Sequence, residues 1–576
     1  MNRYLKKTIL CLLILGLFAG LWGCAYRPRP AKTGDGRTLF RLGFSGAPDS
    51  MNPYTASSRE AEAVFSLIYD TLFELDPETG RCVGALCTRY EVRDSAAGGR
   101  LWSITLSDDA FWQDGERVTA SDVEFSLQSL KELSVLYGYP FCELLDVTGI
   151  AVEDDAHLSM VVWGREEEII RCLARIPILP RHIWNRYDWM GYDSAGVCAD
   201  LPRALREIGG VEADAVTLTG SGLYTFEKYE NGVCSLRLNE GFRGDASKAQ
   251  AVELRFGLED TAAALREGRI DACWDMSLRD WQTLSETKGV RVTAGTGGEL
   301  FSLTFNYGDS QCVHDPQLRR ALERCVDRRA ILLWAFGGGY EERGLLSPYS
   351  LWYYSTALGP ERGYDPAEAA RSLEAAGYRD KDGDGFREMP NGNRLALSLV
   401  YSSADPAWGA AAESIRSACA QAGLAVALRP MTSAALTEAV ASGQYDLLLS
   451  AESPEPEPFR TFRSFYWDDG GNELRHYDGR NRFVSRGWNT GGYANQDYDV
   501  LCRELLSAED DEALQTAVTK AGQLLYDDCA AIPIGFRVAY QAHSSVWYSL
   551  RADRTGGLFF EPSTLRRQFQ TMDTIQ

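Results

Sequence analysis

The sequence predicts an α/β protein, and three observations carry that expectation. Residues 395–450 alternate strand and helix patterns in the order β-α-β-α-β. Helix starts elsewhere are marked by Asp-Pro pairs and by Ser or Thr caps. The composition, 45% hydrophobic and 24% charged over 576 residues, is that of a folded chain with well-buried cores; at about 150 residues per domain it suggests roughly three or four domains.

At the N-terminus, Arg3, Lys6 and Lys7 precede an apolar run from Ile9 to Gly23. The run is shorter than the roughly 20 residues needed to cross a bilayer's hydrocarbon core, so residues 1–23 read as an export signal. It closes on Leu21-Trp22-Gly23-Cys24, which resembles the lipobox of bacterial lipoproteins and implies lipidation of Cys24. The alternative is an ordinary cleaved signal with an incidental Cys. Residues 24–36 contain Arg27-Pro28-Arg29-Pro30 and are too rich in Pro and Gly to pack, so a flexible tether is expected.

Beyond the tether, Ala61, Val64, Phe65, Ile68 and Leu72 follow Ser58 at helical spacing and mark one buried face. Leu101 to Leu106 reads as a strand. Thr119 is placed to cap the next helix, with Asp122 closing a box-like arrangement and Val123, Leu127 and Leu130 on the inner stripe. Asp315-Pro316 and Asp365-Pro366 each begin a helix with a cap and a first-turn proline. Leu318, Ala321, Leu322 and Cys325 share one side of the first of these. Gly377 ends the second where a left-handed residue is needed.

The segment 395–450 is the most informative. Leu395, Leu397, Leu399 and Tyr401 alternate, a helix covers about 406–422, and Leu424, Val426 and Leu428 alternate again. A second helix then covers about 433–442, and Tyr445 to Ser450 forms a third apolar strand. Such a unit implies a parallel sheet, and in parallel sheets ligands bind outside the carboxyl ends of the strands. That rule selects the loops Ser402-Ser403-Ala404-Asp405 and Ala451-Glu452-Ser453. The second runs into Pro454-Glu455-Pro456-Glu457-Pro458-Phe459, stiffened by its prolines. A rigid acidic loop at a crevice suits a cationic or amine-bearing ligand.

The net charge of −22 argues against nucleic acid and anionic membrane surfaces as main partners. Local signs of catalysis are absent. The five His (157, 182, 314, 476 and 543) are never closer than 25 residues apart, which forbids a helical metal pair. Neither a nucleophile elbow nor a phosphate-loop Gly-Lys-Ser/Thr occurs. Asp380-Lys381-Asp382-Gly383-Asp384-Gly385 starts like a calcium loop, but its twelfth position is Asn391 where a bidentate Glu belongs, so it reads as an Asp/Gly-rich turn. Besides Cys11 and Cys24, twelve cysteines remain without a Cys-x-x-Cys; disulfides and buried free thiols both stay open. Cys82 and Cys87 are the one close pair.

A set of motifs, in order, resembles the family 5 extracellular solute-binding proteins of ABC transporters, the peptide- and nickel-binding type. These are Leu106-Ser107-Asp108-Asp109-Ala110-Phe111-Trp112-Gln113-Asp114-Gly115, Val118 to Val123, Ile178-Leu179-Pro180-Arg181-His182, and Gly220-Ser221-Gly222-Leu223-Tyr224. Gly268-Arg269-Ile270-Asp271, Phe305-Asn306, Asp315 to Arg328, Tyr364 to Tyr378 and Gly491-Gly492-Tyr493-Ala494-Asn495 complete it. The resemblance implies a two-lobed, type II periplasmic-binding-protein-like fold with an added subdomain in lobe one. Lobe one would combine residues 37–54, 185–298 and 525–576, the added subdomain 55–184, and lobe two 299–524. It also implies a non-enzymatic, monomeric, extracytoplasmic protein without a cofactor, held at the membrane by its lipid and partnered by permease subunits. The ligand would be a small solute, a peptide first of all.

Peptide-binding members hold the ligand's α-amino group with an acid shortly before a Pro-x-x-Phe stretch, which places Glu452 in that slot. Where dipeptide-specific members carry an Arg after the first strand of this unit, this chain has Tyr401-Ser402-Ser403, so strict dipeptide specificity is not expected. Ser402 thus joins the candidate site, and Tyr54, Trp408 and Trp488 are the candidate aromatic walls. A surface peptide sensor or chaperone using the same cleft is the alternative; a nickel complex or a sugar is the alternative ligand.

Overall fold

The computed structural model describes residues 29–137, 146–184, 214–346, 358–452, 461–466, 489–552 and 562–575, with short gaps at 57, 77, 96–98, 164–165, 309, 463, 490 and 509, and also 352, 476–478 and 482–484. Cys24, Trp488 and the proline-stiffened loop 453–460 lie outside the described residues. No helix among the described residues is long and apolar enough to cross a membrane.

One mixed sheet of twelve strands forms the frame. In the first lobe it contains β1 (Thr38–Gly43), β2 (Tyr224–Glu230), β3 (Val233–Leu238), β4 (Ala251–Arg255) and β5 (Ala272–Met276). Two long strands, β6 (Val290–Phe305) and β11 (Ala531–Ser544), carry it into the second lobe. There it continues through β7 (Gly339–Glu341), β8 (Ala396–Ser402), β9 (Ala425–Met431) and β10 (Leu447–Glu452). The order across the sheet is β9-β8-β10-β6-β11-β5-β1-β4-β3-β2, with β7 beside β11 and, as the twelfth strand, Ala31–Lys32 of the expected tether beside β1. The β-α-β-α-β unit is as expected, because β8 pairs in parallel with both β9 and β10.

Local chemistry explains the helices. Ser58 caps α1 (Arg59–Ile68) by accepting from the Ala61 N–H. At α2 (Ala120–Tyr137) the box closes from the acid's side, with Asp122 accepting from the Thr119 N–H at 2.8 Å and from its hydroxyl at 2.9 Å. Asp315 caps α3 (Pro316–Arg324), Asp327 caps α4 (Arg328–Trp334) and Asp365 caps α5 (Pro366–Ala375). Gly377, at φ +90°, then reverses the chain as the sequence requires.

The lobes have separate cores. In the first, Phe40, Leu42, Val252, Leu254, Trp547, Leu565 and Phe569 pack together with Trp102, Trp112 and Phe125. Residues 55–184 therefore share the first lobe's core, although they build their own four-stranded antiparallel sheet from Cys87–Asp94, Arg100–Leu106, His157–Trp163 and Asp146–Val152. The second core gathers Leu303, Phe305, Leu322, Leu397, Leu399, Ile415, Leu447 and Leu449. Leu525, Cys529, Ile532 and Ile534 join it too, so the segment that the sequence division assigns to the start of lobe one's last piece packs on lobe two. The reason is that β11 is shared.

β6 and β11 run antiparallel from Val290↔Ser544 to Thr304↔Ala531, and each gives one half to each lobe. The first halves sit beside β5, where Ala272 faces His543. The second halves sit between β10, where Leu300 faces Glu452, and β7, where Gly339 faces Arg537. Their register breaks between Thr296 and Leu300, at the passage from one core to the other. An irregular, shared pair of strands is where bending concentrates.

Several motifs of the family pattern prove to be frame. Asp70 is fully buried and accepts from Arg566, Arg243 and, at 3.1 Å, the hydroxyl of Ser221. Gly220 and Gly222 flank that serine against α1. A Cβ at Gly220 would lie 2.0 Å from the Ile68 carbonyl oxygen. Gly220→Ala is accordingly expected to destabilise the first lobe by about 1–3 kcal/mol through overpacking; a urea titration followed by tryptophan fluorescence measures it.

Candidate functional site

Strand direction defines the site. In the second lobe β8, β9 and β10 are parallel and β6 is antiparallel to β10, so Ser402, Met431 and Glu452 end at the edge where β6 enters at Leu300. In the first lobe β1, β4 and β5 are parallel, ending at Gly43, Arg255 and Met276. β5 runs antiparallel to β11 with Met276 facing Tyr540, so its carboxyl end points toward the second lobe. The carboxyl ends of the two half-sheets thus face each other across the β6/β11 passage. This is the place where α/β folds bind ligands.

At the second lobe's edge the loop after β8 is tied to the end of β9. Ser403 donates to the Met431 carbonyl through its N–H at 2.7 Å and its hydroxyl at 3.0 Å. The Ser402 hydroxyl, half-buried, accepts from the Ala404 N–H at 3.2 Å. Asp405 caps α6 (Pro406–Gln421), accepting from the Ala407 N–H at 2.8 Å, and Thr432 caps α7 (Ser433–Ala441) at the same edge. Two helix N-termini therefore point to the crevice.

Trp408 stands in the first turn of α6. Its ring is 5.3 Å from Phe301 and 5.6 Å from Phe336, and those two are 3.9 Å from each other. Phe301 is buried at 3% exposure, whereas Trp408 and Phe336 keep an open face. Glu452 ends β10 opposite Leu300. Ser402, Trp408 and the backbone of Glu452 thus come together at one edge. Tyr54 does not join them: it is fully buried in the first core, its ring 5.1 Å from Trp184 and its hydroxyl 3.1 Å from the Ser129 hydroxyl.

Phe301 and Phe336 are residues at this edge that the strand-end rule missed. The available signal was the alternating run Leu300 to Phe305, which reads as a strand whose first residues must border the same crevice. A separate small recess lies between residues 343–346 and the helix α8 (Asp511–Asp528), near the start of β11 and away from these strand ends.

Other candidates resolve into structure. Asn306 donates to the carbonyls of Gly443 and Tyr445, both at 2.8 Å, and Asp446 accepts from the Ser398 N–H and hydroxyl. The carboxylates of Asp380, Asp382 and Asp384 are exposed and close enough together to share a cation, yet each accepts from a nearby backbone N–H within the turn. Arg387 anchors that turn to the Ala422 carbonyl, beyond the far end of α6 from the crevice. Cys87, Cys234, Cys325, Cys419 and Cys529 are buried free thiols, so Cys87 is not bonded to Cys82. Burial pushes the Cys87 thiol up to about 12. Cys87 is expected to resist iodoacetamide at pH 8 in the native protein and to react fully once unfolded, as peptide mass spectrometry would show.

Comparison with known proteins agrees with this geometry. The family model described as bacterial extracellular solute-binding proteins, family 5 Middle, matches residues 82–473. The peptide transport periplasmic protein SapA of Salmonella typhimurium is 22% identical over 557 residues, covering 92% of this chain and 93% of its own. Among solved structures, the oligopeptide-binding protein AppA from Bacillus subtilis, in complex with a nonapeptide, superposes with a TM-score of 0.70 at 17% identity, over 95% of this chain and 100% of that one. NikZ from Campylobacter jejuni, in complex with Ni(L-His), gives 0.66 at 18% identity, over 91% and 98%. These likenesses show a two-lobed binding-protein fold.

Proposed function

The chain belongs to the bacterial extracellular solute-binding proteins of family 5, and on that premise we propose that it is a receptor, lipid-anchored through Cys24, that captures oligopeptides or a related small solute between its lobes and passes them to the permease of an ABC importer. The observation that carries this reading is the meeting of the two sets of strand ends across β6 and β11. A solute lodged there touches both lobes when they close and one when they are apart, so its differential affinity shifts the population toward the closed form. The aromatic face of Trp408 and Phe336 suits apolar side chains, and Glu452 is assigned to the α-amino group. The peptide-binding relatives support the ligand class.

Mass spectrometry of small molecules that co-purify with the protein tests this. Recovery of peptides, together with a smaller radius of gyration by X-ray scattering once they are added back, is expected. A scattering profile unchanged by every peptide tried, with turnover of some of them, would overturn it.

A further inference from the structure

Tyr540 lies in the first-lobe half of β11, facing Met276 on β5 and Ala294 on β6. Its ring is 5.6 Å from that of Trp281, on the helix Leu278–Ser285 that starts directly after the carboxyl end of β5. The Trp281 Nε1–H donates in turn to the Thr293 carbonyl at 2.9 Å. The Tyr540 ring thus belongs to a small core of the first lobe, with Leu265, Ile270 and Cys273. Its hydroxyl leaves that lobe: it donates at 3.4 Å to the carbonyl of Gly337, in the turn between α4 and β7 of the second.

That turn fits the phenol closely. Gly337 and Gly338 have φ of +74° and +131°, and a Cβ at Gly338 would lie 2.7 Å from the hydroxyl oxygen. The Gly338 N–H donates back to the Leu332 carbonyl at 2.8 Å, which fixes the turn to α4. Directly before it stands Phe336, packed on Phe301 and Trp408 at the crevice. The hydroxyl bond and the bond from the Val538 N–H to the Gly338 carbonyl, 3.5 Å, are both stretched beside the roughly 2.8–3.0 Å of well-made bonds.

We propose that Tyr540 is a positioning residue for ligand capture: its hydroxyl crosses from the first lobe to hold the Gly337-Gly338 turn, and with it the Phe336 ring, and the bond shortens as the lobes close. Tyr540 and the turn lie between a helix that starts at the first lobe's strand ends and a ring at the second's, so closure compresses the gap between them. This deepens, and rests on, the closing-cleft reading. A solute packed on Phe336 is thereby linked to Tyr540, and contact with the aromatic face and closure become one event.

The test compares Tyr540→Phe, which keeps the ring against Trp281 and removes the hydroxyl, with Gly338→Ala and with the double variant. Hydrogen exchange over residues 335–340, read by mass spectrometry without ligand, is expected to quicken about fivefold in Tyr540→Phe, while residues 278–285 and the urea midpoint stay as in the wild type. The ligands are alanine pentapeptides with one Phe placed at each position in turn. By titration calorimetry the best of them is expected to bind Tyr540→Phe about three- to tenfold more weakly, the worth of one neutral hydrogen bond. In Gly338→Ala the new methyl meets the phenol, and losing the hydroxyl relieves that clash, so the double variant is expected to bind no worse than Gly338→Ala. Wild-type exchange and binding in Tyr540→Phe would overturn the proposal. Additive losses in the double variant would do so too, since the two groups would then act separately. An earlier urea transition with faster exchange throughout the first lobe would also overturn it, the packing of the ring being the cause. If the wild type bound none of the peptides, the oligopeptide reading would fall, and exchange over 335–340 would decide the role of Tyr540 by itself.

Discussion

Asp70→Asn is expected to be the most damaging single substitution considered, lowering the stability of the first lobe by about 3–5 kcal/mol, because removing one partner of a buried ion pair leaves its counter-charge uncompensated. Asp70 has no exposed side-chain surface, while Arg566 keeps 5% and Arg243 12%. In the variant, Arg566 would retain only Glu74, at 3.1 Å, among the ionic partners described here, and Arg243 would lose its carboxylate. The cluster joins the end of α1, the Gly-Ser-Gly motif and the helix α9 (Pro562–Thr571), so the loss spreads across three remote parts of the chain. Urea denaturation followed by the fluorescence of the first core's tryptophans should show an early transition for that lobe. A shift of about 1 kcal/mol or less, the value of an exposed pair, would mean that water reaches the cluster.

The second large effect concerns the ligand. Glu452→Gln is expected to weaken peptide binding by about 2–4 kcal/mol, or thirty-fold and more, since an enclosed ammonium loses its counter-charge while the shape of the site is kept. The position follows from the backbone: Glu452 is the last residue of β10 and stands across from Leu300 at the hinge. N-acetylated peptides, which have no ammonium to hold, should bind wild type and variant alike. Titration calorimetry on both peptide forms separates a lost ionic contact from a distorted pocket. A change under threefold for the free-amine peptide would remove Glu452 from the site.

What the sequence made legible is local. Asp315, Asp365 and Ser58 announce their helices because a cap and the N–H that donates to it lie within three residues. The β-α-β-α-β unit was legible because its strands alternate and a parallel pair demands a crossover, and its direction put the loop at Ser402 and the strand end at Glu452 on one edge. What escaped was long-range. Tyr54 reads as a candidate aromatic wall, yet Trp184 and Ser129, distant in sequence, close over it. Phe336 belongs to no strand and reaches the crevice through its contact with Phe301. That residues 55–184 share one continuous core with lobe one is likewise a long-range feature, since Trp102 and Phe569 meet in it although most of the chain separates them.

That core has a consequence for how the protein is made. Phe40 packs edge-on against both Trp547 and Phe569, so residues from the start and the end of the described chain complete one another. A polypeptide still being synthesised holds the early strands without their closing partners, and the first lobe cannot reach its native state until the final helix has left the ribosome. Such a delay makes ribosome-stalled or C-terminally clipped forms natural prey for proteases.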